Sequence, residues 1–208
     1  MATIAVVDYG MGNLRSVAKA MEHVAPRSRV VVTSSARDIS NADRVVFPGQ
    51  GAALECMASL QSHKLIESVK AAFNNKPFLG ICMGLQVLFE FSDENKGVPC
   101  LACVDGSVAR FAAQNQSLKI PHMGWNEVSQ CQQHALWNKI PDESRFYFVH
   151  SYYDRPVQET IVSGKTEYTT NFCSAIAVNN IFATQFHPEK SAADGLRLLN
   201  NFSEWNPA

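Results

Sequence analysis

The segment Gly80-Ile81-Cys82-Met83-Gly84 decides the fold class of this chain. An apolar stretch at residues 77–81 precedes the cysteine, and a helical pattern at residues 83–91 follows it. A reactive side chain between two glycines at such a strand-to-helix turn has the form of a nucleophile elbow, with cysteine in place of serine. The start of the helix would present free N–H groups, which favour a reactive thiolate. The alternative is a buried cysteine that only packs at a tight junction.

Short apolar segments alternate with helical patterns on the N-terminal side of this elbow. Residues 4–8, 29–33, 44–47 and 77–81 have the composition of buried strands. Asn13 opens one amphipathic helical pattern, and a second runs to about residue 75 with a break near His63. Strands separated by helices predict a parallel sheet with right-handed crossovers.

The C-terminal half has a different pattern, rich in short β-prone segments. Residues 107–111, 125–129, 145–150, 161–168, 175–179 and 181–186 are predicted strands, several of them in hairpins. Asn179-Asn180 fits a two-residue turn, and Ser191 is a predicted N-cap for a last helix. No repeat or linker interrupts the chain. We therefore predict one α/β domain spanning residues 1–208, with a mostly parallel central sheet flanked by helices and additional antiparallel strands in the C-terminal half.

Composition excludes several functional classes. The 208 residues are 46% hydrophobic and 18% charged, with a formal net charge of −1. This balance gives no electrostatic footprint for nucleic acid or an anionic membrane. No apolar run approaches the roughly 20 residues of a membrane helix, and residues 1–8 resemble a first strand and not a signal peptide. We expect a soluble cytoplasmic protein whose six cysteines are reduced thiols.

A candidate base and its orienting group lie together near the C-terminus. The segment Gln185-Phe186-His187-Pro188-Glu189 follows an apolar strand, and Pro188 biases His187 toward extended geometry. In an extended chain, His187 and Glu189 would share one face. One imidazole nitrogen could then face a thiol while the other donates to the carboxylate, as in a catalytic triad. The alternative is a surface pair at a strand end.

Two glycine-rich turns end predicted strands. In Pro48-Gly49-Gln50-Gly51, the glycines would let peptide N–H groups point at a developing oxyanion, although an ordinary strand-ending turn is the alternative. The Gly10-Met11-Gly12 turn invites comparison with a dinucleotide-binding loop, but Arg15 stands where the third glycine belongs. The segment Cys100-Leu101-Ala102-Cys103 has metal-ligand spacing but no second cysteine pair. No metal or organic cofactor is expected.

Together these segments resemble the class I (triad) glutamine amidotransferases, over nearly the whole chain. Within that family they are most similar to the glutaminase subunits of imidazole glycerol phosphate synthase. The segments that carry the resemblance are Asp8-Tyr9-Gly10-Met11-Gly12-Asn13-Leu14, Pro48-Gly49-Gln50-Gly51, Gly80-Ile81-Cys82-Met83-Gly84-Leu85-Gln86, Pro121-His122-Met123-Gly124-Trp125-Asn126, Phe148-Val149-His150-Ser151-Tyr152 and Gln185-Phe186-His187-Pro188-Glu189-Lys190.

The resemblance implies a role for each of four groups of residues. Cys82, His187 and Glu189 would be the catalytic triad, and Met83 with Gly49, Gln50 and Gly51 would hold the oxyanion. Gln86, Glu94, His150, Ser151 and Tyr152 would bind L-glutamine. Asn13, Trp125, Tyr147 and Lys190 would contact a (β/α)₈ cyclase subunit in a heterodimer, although Trp125 and Tyr147 could instead be core aromatics. The cyclase would use the ammonia to make imidazole glycerol phosphate and an aminoimidazole carboxamide ribotide.

Two departures from the family pattern and two other functions stay open. The Cys100 to Cys103 segment replaces a common Gly-Leu-Gly-Leu, and Gln50 replaces a common valine. The same chemistry could serve another ammonia-accepting synthase, because a glutaminase site does not encode the acceptor. The chain could also be a non-catalytic regulatory subunit, which an intact triad argues against. A free glutaminase would waste glutamine, so we expect the partner to activate the chain through the loop at residues 49–51.

Overall fold

The computed structural model describes residues 1–112 and 118–207. Helices and strands are numbered below in chain order. The helices are α1 (Leu14–Val24), α2 (Ala36–Asn41), α3 (Ala53–Ser62), α4 (Ile66–Asn75), α5 (Met83–Gln86) and α6 (Ala192–Glu204). The strands are β1 (Thr3–Val7), β2 (Arg29–Thr33), β3 (Arg44–Gly49), β4 (Phe78–Cys82), β5 (Phe91–Ser92), β6 (Val98–Pro99), β7 (Gly106–Arg110), β8 (His122–Glu127), β9 (Ser129–Gln130), β10 (Arg145–His150), β11 (Tyr152–Pro156), β12 (Val162–Glu167), β13 (Asn171–Val178) and β14 (Ile181–Thr184).

One large sheet joins the two halves of the chain. Strands β2, β1, β3, β4 and β14 are adjacent in that order and parallel. Strand β13 then pairs antiparallel with β14 across the two-residue turn at Asn179-Asn180, and β11 and β7 extend the sheet. Strands β8 and β10 form a separate antiparallel pair. The predicted α/β class, with its parallel centre and antiparallel additions, is confirmed.

The side chains of the parallel strands alternate between two apolar layers. Val45 and Phe47 of β3 lie in the layer under α3 and α4, whereas Val46 lies in the layer with α1 and α6. Phe78 and Leu79 of β4 divide in the same way. A strand buried on both faces has a continuous apolar sequence, which explains why β3 and β4 are apolar at nearly every position. Within the described residues, no helix combines the length and apolar character that crossing a membrane requires.

The helix boundaries agree with the sequence in most places. Asn13 caps α1, its side-chain oxygen accepting from the Ser16 amide at 3.3 Å. The predicted break near His63 separates α3 from α4. The helix predicted at residues 83–91 is wrong in length, since α5 ends at Gln86 and the chain continues in turns. Helix α2 and strand β11 were not predicted.

Candidate active site

Cys82 lies at the sharp turn between β4 and α5. Its backbone has φ 56° and ψ −111°, a strained conformation for a residue with a side chain. A Cβ on Gly84 would overlap the backbone carbonyl of Phe47, and one on Gly80 would come within 2.7 Å of the Gly84 carbonyl oxygen. The glycines therefore permit the close packing of β3, β4 and α5 that holds this turn. The predicted elbow geometry is present.

His187 and Glu189 meet in a buried pair. The distance from His187 Nδ1 to Glu189 Oε1 is 2.9 Å, and both side chains are at most 2% exposed. His187 is extended, as Pro188 predicts, but Glu189 lies in a 3₁₀ turn formed by Pro188–Lys190. The expectation of a fully extended His-Pro-Glu segment is wrong, because Pro188 supplies the fixed φ that starts a turn. The second ring nitrogen, Nε2, is buried and remains available for the thiol.

The charged groups beside His187 determine its pKa. Burial lowers the pKa of a histidine, but the Cys82 sulfur and the Glu189 carboxylate together raise the pKa of His187 to about 10. The ring is therefore a strong proton acceptor from Cys82, and the resulting imidazolium is stabilised on both sides. This is the electrostatic arrangement that a cysteine–histidine nucleophile requires.

The predicted oxyanion loop lies beside Cys82. Gly49 ends β3 and pairs with Cys82 in the parallel ladder. A Cβ at Gly49 would lie 2.9 Å from the Met83 Cβ and would overlap the Tyr9 hydroxyl, so only glycine fits this approach. Gln50, Gly51 and Met83 line the adjacent cavity. The loop and the first residue of α5 thus face the same space as Cys82.

A cavity of about 480 Å³ opens over Cys82 and His187, a volume suited to a small metabolite. All five residues predicted to bind glutamine line it, as do two predicted interface residues. These are Gln86, Glu94, His150, Ser151, Tyr152, Tyr147 and Lys190. Gly49, Glu189, Asn13 and Trp125 do not line it. Glu189 lies behind His187, which fits an orienting role.

Two of the predicted glutamine-binding side chains have partners within the protein. Glu94 Oε2 accepts a hydrogen bond of 2.6 Å from the Ala53 amide at the start of α3. The N-cap residue of α3 makes no side-chain hydrogen bond to this helix, so Glu94 caps it instead. Gln86 Nε2 donates to the Tyr152 carbonyl at 3.1 Å and to Gln185 Oε1 at 2.7 Å. The amide nitrogen of Gln86 is thereby committed to the protein, while its oxygen is left for a donor.

Gln185 is a site residue to which the sequence analysis assigned no role. Its side chain is fully buried, and its Nε2 lies 3.6 Å from Cys82 Sγ. The sequence does contain a feature that could have indicated this role. Gln185 is a polar residue between an apolar strand and Phe186, two residues before the predicted base His187. A buried amide in such a place must have hydrogen-bonding partners.

The imidazoles of His122 and His150 form a neutral relay behind the cavity. His150 Nδ1 donates to the Tyr152 carbonyl at 2.7 Å, so its Nε2 must accept the hydrogen of His122 Nδ1 at 2.9 Å. His122 Nε2 in turn accepts from Asn126 at 3.2 Å. Burial lowers the pKa of His122 to about 4 and that of His150 to about 3. Both rings therefore remain neutral and fix the backbone of the 150–152 segment.

The predicted interface residues lie around the β8–β10 pair and at the start of α1. Trp125 is 46% exposed and packs edge-to-face on Tyr147, with ring centroids 6.3 Å apart. The Lys190 ammonium lies 5.9 Å from the centroid of the Tyr147 ring, and Asn13 is exposed. Trp125 is thus a surface aromatic and not a core residue.

Strand β10 is bonded directly to the turn at residues 187–190, here called the catalytic turn after the predicted roles of His187 and Glu189. The His187 amide donates to the Tyr147 carbonyl at 2.9 Å, and the Tyr147 amide donates to Ser191 Oγ at 3.0 Å. Ser191 Oγ donates to the His187 carbonyl at 2.6 Å. Ser191 is the N-cap residue of α6, as predicted, but its hydroxyl makes no hydrogen bond to that helix. The hydroxyl is used to hold β10 against His187.

The CxxC cysteines have the properties of packed thiols. Cys100 and Cys103 are half-buried, and each thiol points to a nearby backbone carbonyl, that of Val98 or Leu101. Burial raises the pKa of both, to about 11 for Cys100. Thiols of this kind are poor nucleophiles at neutral pH.

Comparison with known proteins agrees with this site. Residues 5–204 match the family described as glutamine amidotransferase class-I. The imidazole glycerol phosphate synthase subunit HisH of Nitrosococcus oceani is 55% identical over 206 residues, which cover 99% of each chain. The HisH subunit of Aromatoleum aromaticum is 55% identical over the full length of both chains. The solved glutaminase domain of Trypanosoma brucei CTPS has a TM-score of 0.67 at 16% identity, covering 100% of this chain and 96% of the other. The chain therefore belongs to the class I glutamine amidotransferases, among the HisH subunits of imidazole glycerol phosphate synthase.

Proposed function

We propose that this chain hydrolyses the side-chain amide of L-glutamine at Cys82 and supplies the ammonia to a cyclase subunit. The observation that carries this proposal is the strained Cys82 elbow beside His187, whose other ring nitrogen is held by Glu189 at 2.9 Å. That arrangement lies at the floor of a cavity of metabolite size. Membership of the amidotransferase family supplies the reaction class.

The proposed reaction has two half-reactions. His187 Nε2 takes the thiol proton, and the Cys82 sulfur attacks the carboxamide carbon while the Met83 amide and the 49–51 loop hold the oxyanion. The C–N bond then breaks, and His187 returns the proton to the leaving ammonia. Water, deprotonated by His187, attacks the thioester. The C–S bond breaks, the proton returns to the sulfur, and glutamate leaves.

Covalent labelling tests the nucleophile. A glutamine analogue with an electrophile at the γ position should modify Cys82, and Cys82→Ala should reduce glutamine hydrolysis to background. Cys100→Ala is the matched control and should keep activity, because that thiol lies outside the elbow. Modification of Cys100 or Cys103 with Cys82 untouched would contradict the assignment.

We further propose that the partner is a (β/α)₈ cyclase that forms a heterodimer with this chain and makes imidazole glycerol phosphate and an aminoimidazole carboxamide ribotide. The support is the exposed aromatic and apolar surface of β8, where Trp125 and Met123 are 46% and 62% exposed. Exposed aromatics of this kind are frequent interface anchors. Lys190 and Tyr147 place a cation and a phenol ring at the rim of the same cavity. A partner docked here would cover the exit from Cys82.

Docking at this surface would act on the catalytic base. Tyr147 is bonded through its backbone to both His187 and Ser191, so a shift of β10 moves the catalytic turn. Gly12 packs against Gly49, which links the Asn13 region to the oxyanion loop. Glutamine hydrolysis should be measured for the isolated chain, the complex, and the complex with acceptor ligand. A rise at each step supports partner gating, and three equal rates refute it.

A further inference from the structure

We propose that Gln185 is a positioning residue that donates an amide hydrogen bond to the Cys82 sulfur and stabilises its thiolate, and that Gln86 locks Gln185 in the orientation required. The inference deepens the proposed function and rests on Cys82 being the nucleophile. It assigns Gln86 a second task besides contact with substrate. Both side chains are buried, with exposed fractions of 0% and 3%.

The orientation of the two amides follows from a fixed acceptor. The Tyr152 carbonyl can only accept, so the atom of Gln86 that lies 3.1 Å from it must be nitrogen. The same nitrogen lies 2.7 Å from Gln185, and its remaining hydrogen requires an oxygen there. The other terminal atom of Gln185 is consequently nitrogen, and it lies 3.6 Å from Cys82 Sγ. The Tyr152 carbonyl also accepts a hydrogen bond from His150, so the acceptor that orients Gln86 and Gln185 is itself fixed in position.

The thiolate needs this donor because the helix after it is short. Helix α5 has four residues, so it offers little of the macrodipole that longer helices direct at an anion. An N–H donated to a charged acceptor in a buried site is stronger than a bond between neutral groups. Gln185 therefore supplies a fixed dipole whose nitrogen lies 3.6 Å from the sulfur.

Among the described residues, the titratable groups electrostatically coupled to Cys82 include His187 on the catalytic turn, Tyr9 after β1 and Cys56 on α3. Glu189 acts on His187. Burial raises the pKa of Tyr9 and Cys56, which share a hydrogen bond of 3.1 Å and stay protonated. None of them changes when Gln185 is replaced. A shift in the pH response of Cys82 then reports the lost amide.

The experiment is the pH dependence of Cys82 alkylation by iodoacetamide in the full chain, followed residue by residue with mass spectrometry. Gln185→Met keeps the length and removes the donor. Its alkylation midpoint should move up by about one pH unit, and kcat in the complex should fall about tenfold with KM within about twofold, because a hydrogen bond to a charged acceptor is stronger than one between neutral groups and one pH unit is a tenfold change in equilibrium constant. Gln86→Met should move the midpoint in the same direction by less, since the donor remains but is unlocked.

Gln130→Met is the matched control. Gln130 also donates its side-chain amide to backbone carbonyls, those of Ile140 and Pro141, but far along the chain in β9. It should leave the midpoint unchanged. An unchanged midpoint in both Gln185→Met and Gln86→Met, with Cys82 labelled in every chain, overturns the inference while the proposed function stands. If Cys82 of the unaltered chain is not the labelled residue, the proposed function itself fails.

Discussion

Burial moves the pKa of His150 down to about 3, whereas His187, also buried, has its pKa raised to about 10. The difference lies in the neighbours. His150 donates to a neutral carbonyl and faces another imidazole, so a proton on it would be an uncompensated charge. His187 lies between a carboxylate and a sulfur that can carry negative charge. Histidine thus occurs here in two states: His150 is a neutral hydrogen-bonding group, and His187 is suited to accept a proton.

This contrast predicts unequal effects of triad substitutions. His187→Ala should lower kcat/KM by about 10²- to 10⁴-fold, the usual contribution of a positioned general base. Glu189→Gln should cost less, because it keeps a hydrogen-bonding group on Nδ1 and removes only the charge that favours the imidazolium. His63→Ala, on an exposed ring at the end of α3, is the control. Steady-state glutaminase assays on the complex decide the order, and full activity in His187→Ala would refute the triad.

The turn at Cys82 depends on the close packing of β3, β4 and α5, whose backbones approach one another at glycine residues. Gly84 faces the Phe47 carbonyl of β3, and Gly49 faces Met83. These contacts hold the oxyanion loop and the nucleophile in register, since Gly49 and Cys82 are ladder partners. The element is therefore sensitive to a single methyl group.

Gly84→Ala should abolish most glutaminase activity and lower stability, because its Cβ would overlap a backbone atom that cannot move without shifting β3. We expect a loss of about 1–3 kcal/mol or more, the range for overpacking a tight core. Gly164→Ala on β12 is the matched control. The nearest atoms to its Cβ would be side-chain atoms of Val128, Ala175 and Ser174, at 2.9 Å or more, so it should be milder and leave activity intact. Urea unfolding and a glutaminase assay on both variants test this, and equal losses would contradict it.

The sequence predicted those elements whose signal is local. The elbow, the Asn13 cap, the break at His63 and the Asn179-Asn180 turn each depend on a few neighbouring residues. The partners of Gln185 could not be predicted, because they lie 99 and 103 positions away in the chain. The early end of α5 at Gln86 was likewise not predicted, because the helical pattern of apolar residues continues beyond it.

The β8–β10 pair is the element through which we expect the partner to act. Trp125→Ala should weaken complex formation and leave the unfolding midpoint of the isolated chain nearly unchanged, because nearly half of the side chain is exposed. Val157→Ala is the control, since Val157 is a 71%-exposed apolar residue away from this pair. Binding to the cyclase by calorimetry and thermal unfolding together test the prediction. Unfolding of the Trp125→Ala chain would restore the interpretation of Trp125 as core.

At the scale of the whole molecule, three neighbouring parallel strands supply the site. Strand β3 leads to the oxyanion loop, β4 ends at Cys82, and β14 runs toward His187. Their carboxyl ends meet at one sheet edge, where open α/β sheets form their sites. The continuous sheet carries both halves of the chain, and we propose that residues 1–208 act as one domain.

Buried titratable groups also make the stability of the whole fold depend on pH, in opposing directions. A histidine with a lowered folded-state pKa costs stability as pH falls below its unfolded value of about 6.5, because only the unfolded chain takes up the proton. His122 and His150 act in this way. His187, with its raised pKa, contributes stability that is lost as pH rises through about 10. The buried Asp154 carboxyl, whose pKa burial raises, favours the folded state toward lower pH.

Because these contributions oppose each other, the effect of His122 is measured as the difference in unfolding free energy between the unaltered chain and a variant. His122→Gln keeps one donor and one acceptor for the Asn126 and His150 contacts but cannot be protonated. It should be less stable than the unaltered chain at pH 7, through lost ring stacking on Phe148. The gap should narrow by on the order of 1 kcal/mol between pH 7 and pH 5, because only the unaltered chain has an imidazole at position 122 that must stay neutral on folding, whereas His134 and His150 are the same in both chains. Urea unfolding at both pH values measures each gap, and a His122→Gln gap that widens in acid would mean that the imidazole relay is charged in the folded chain.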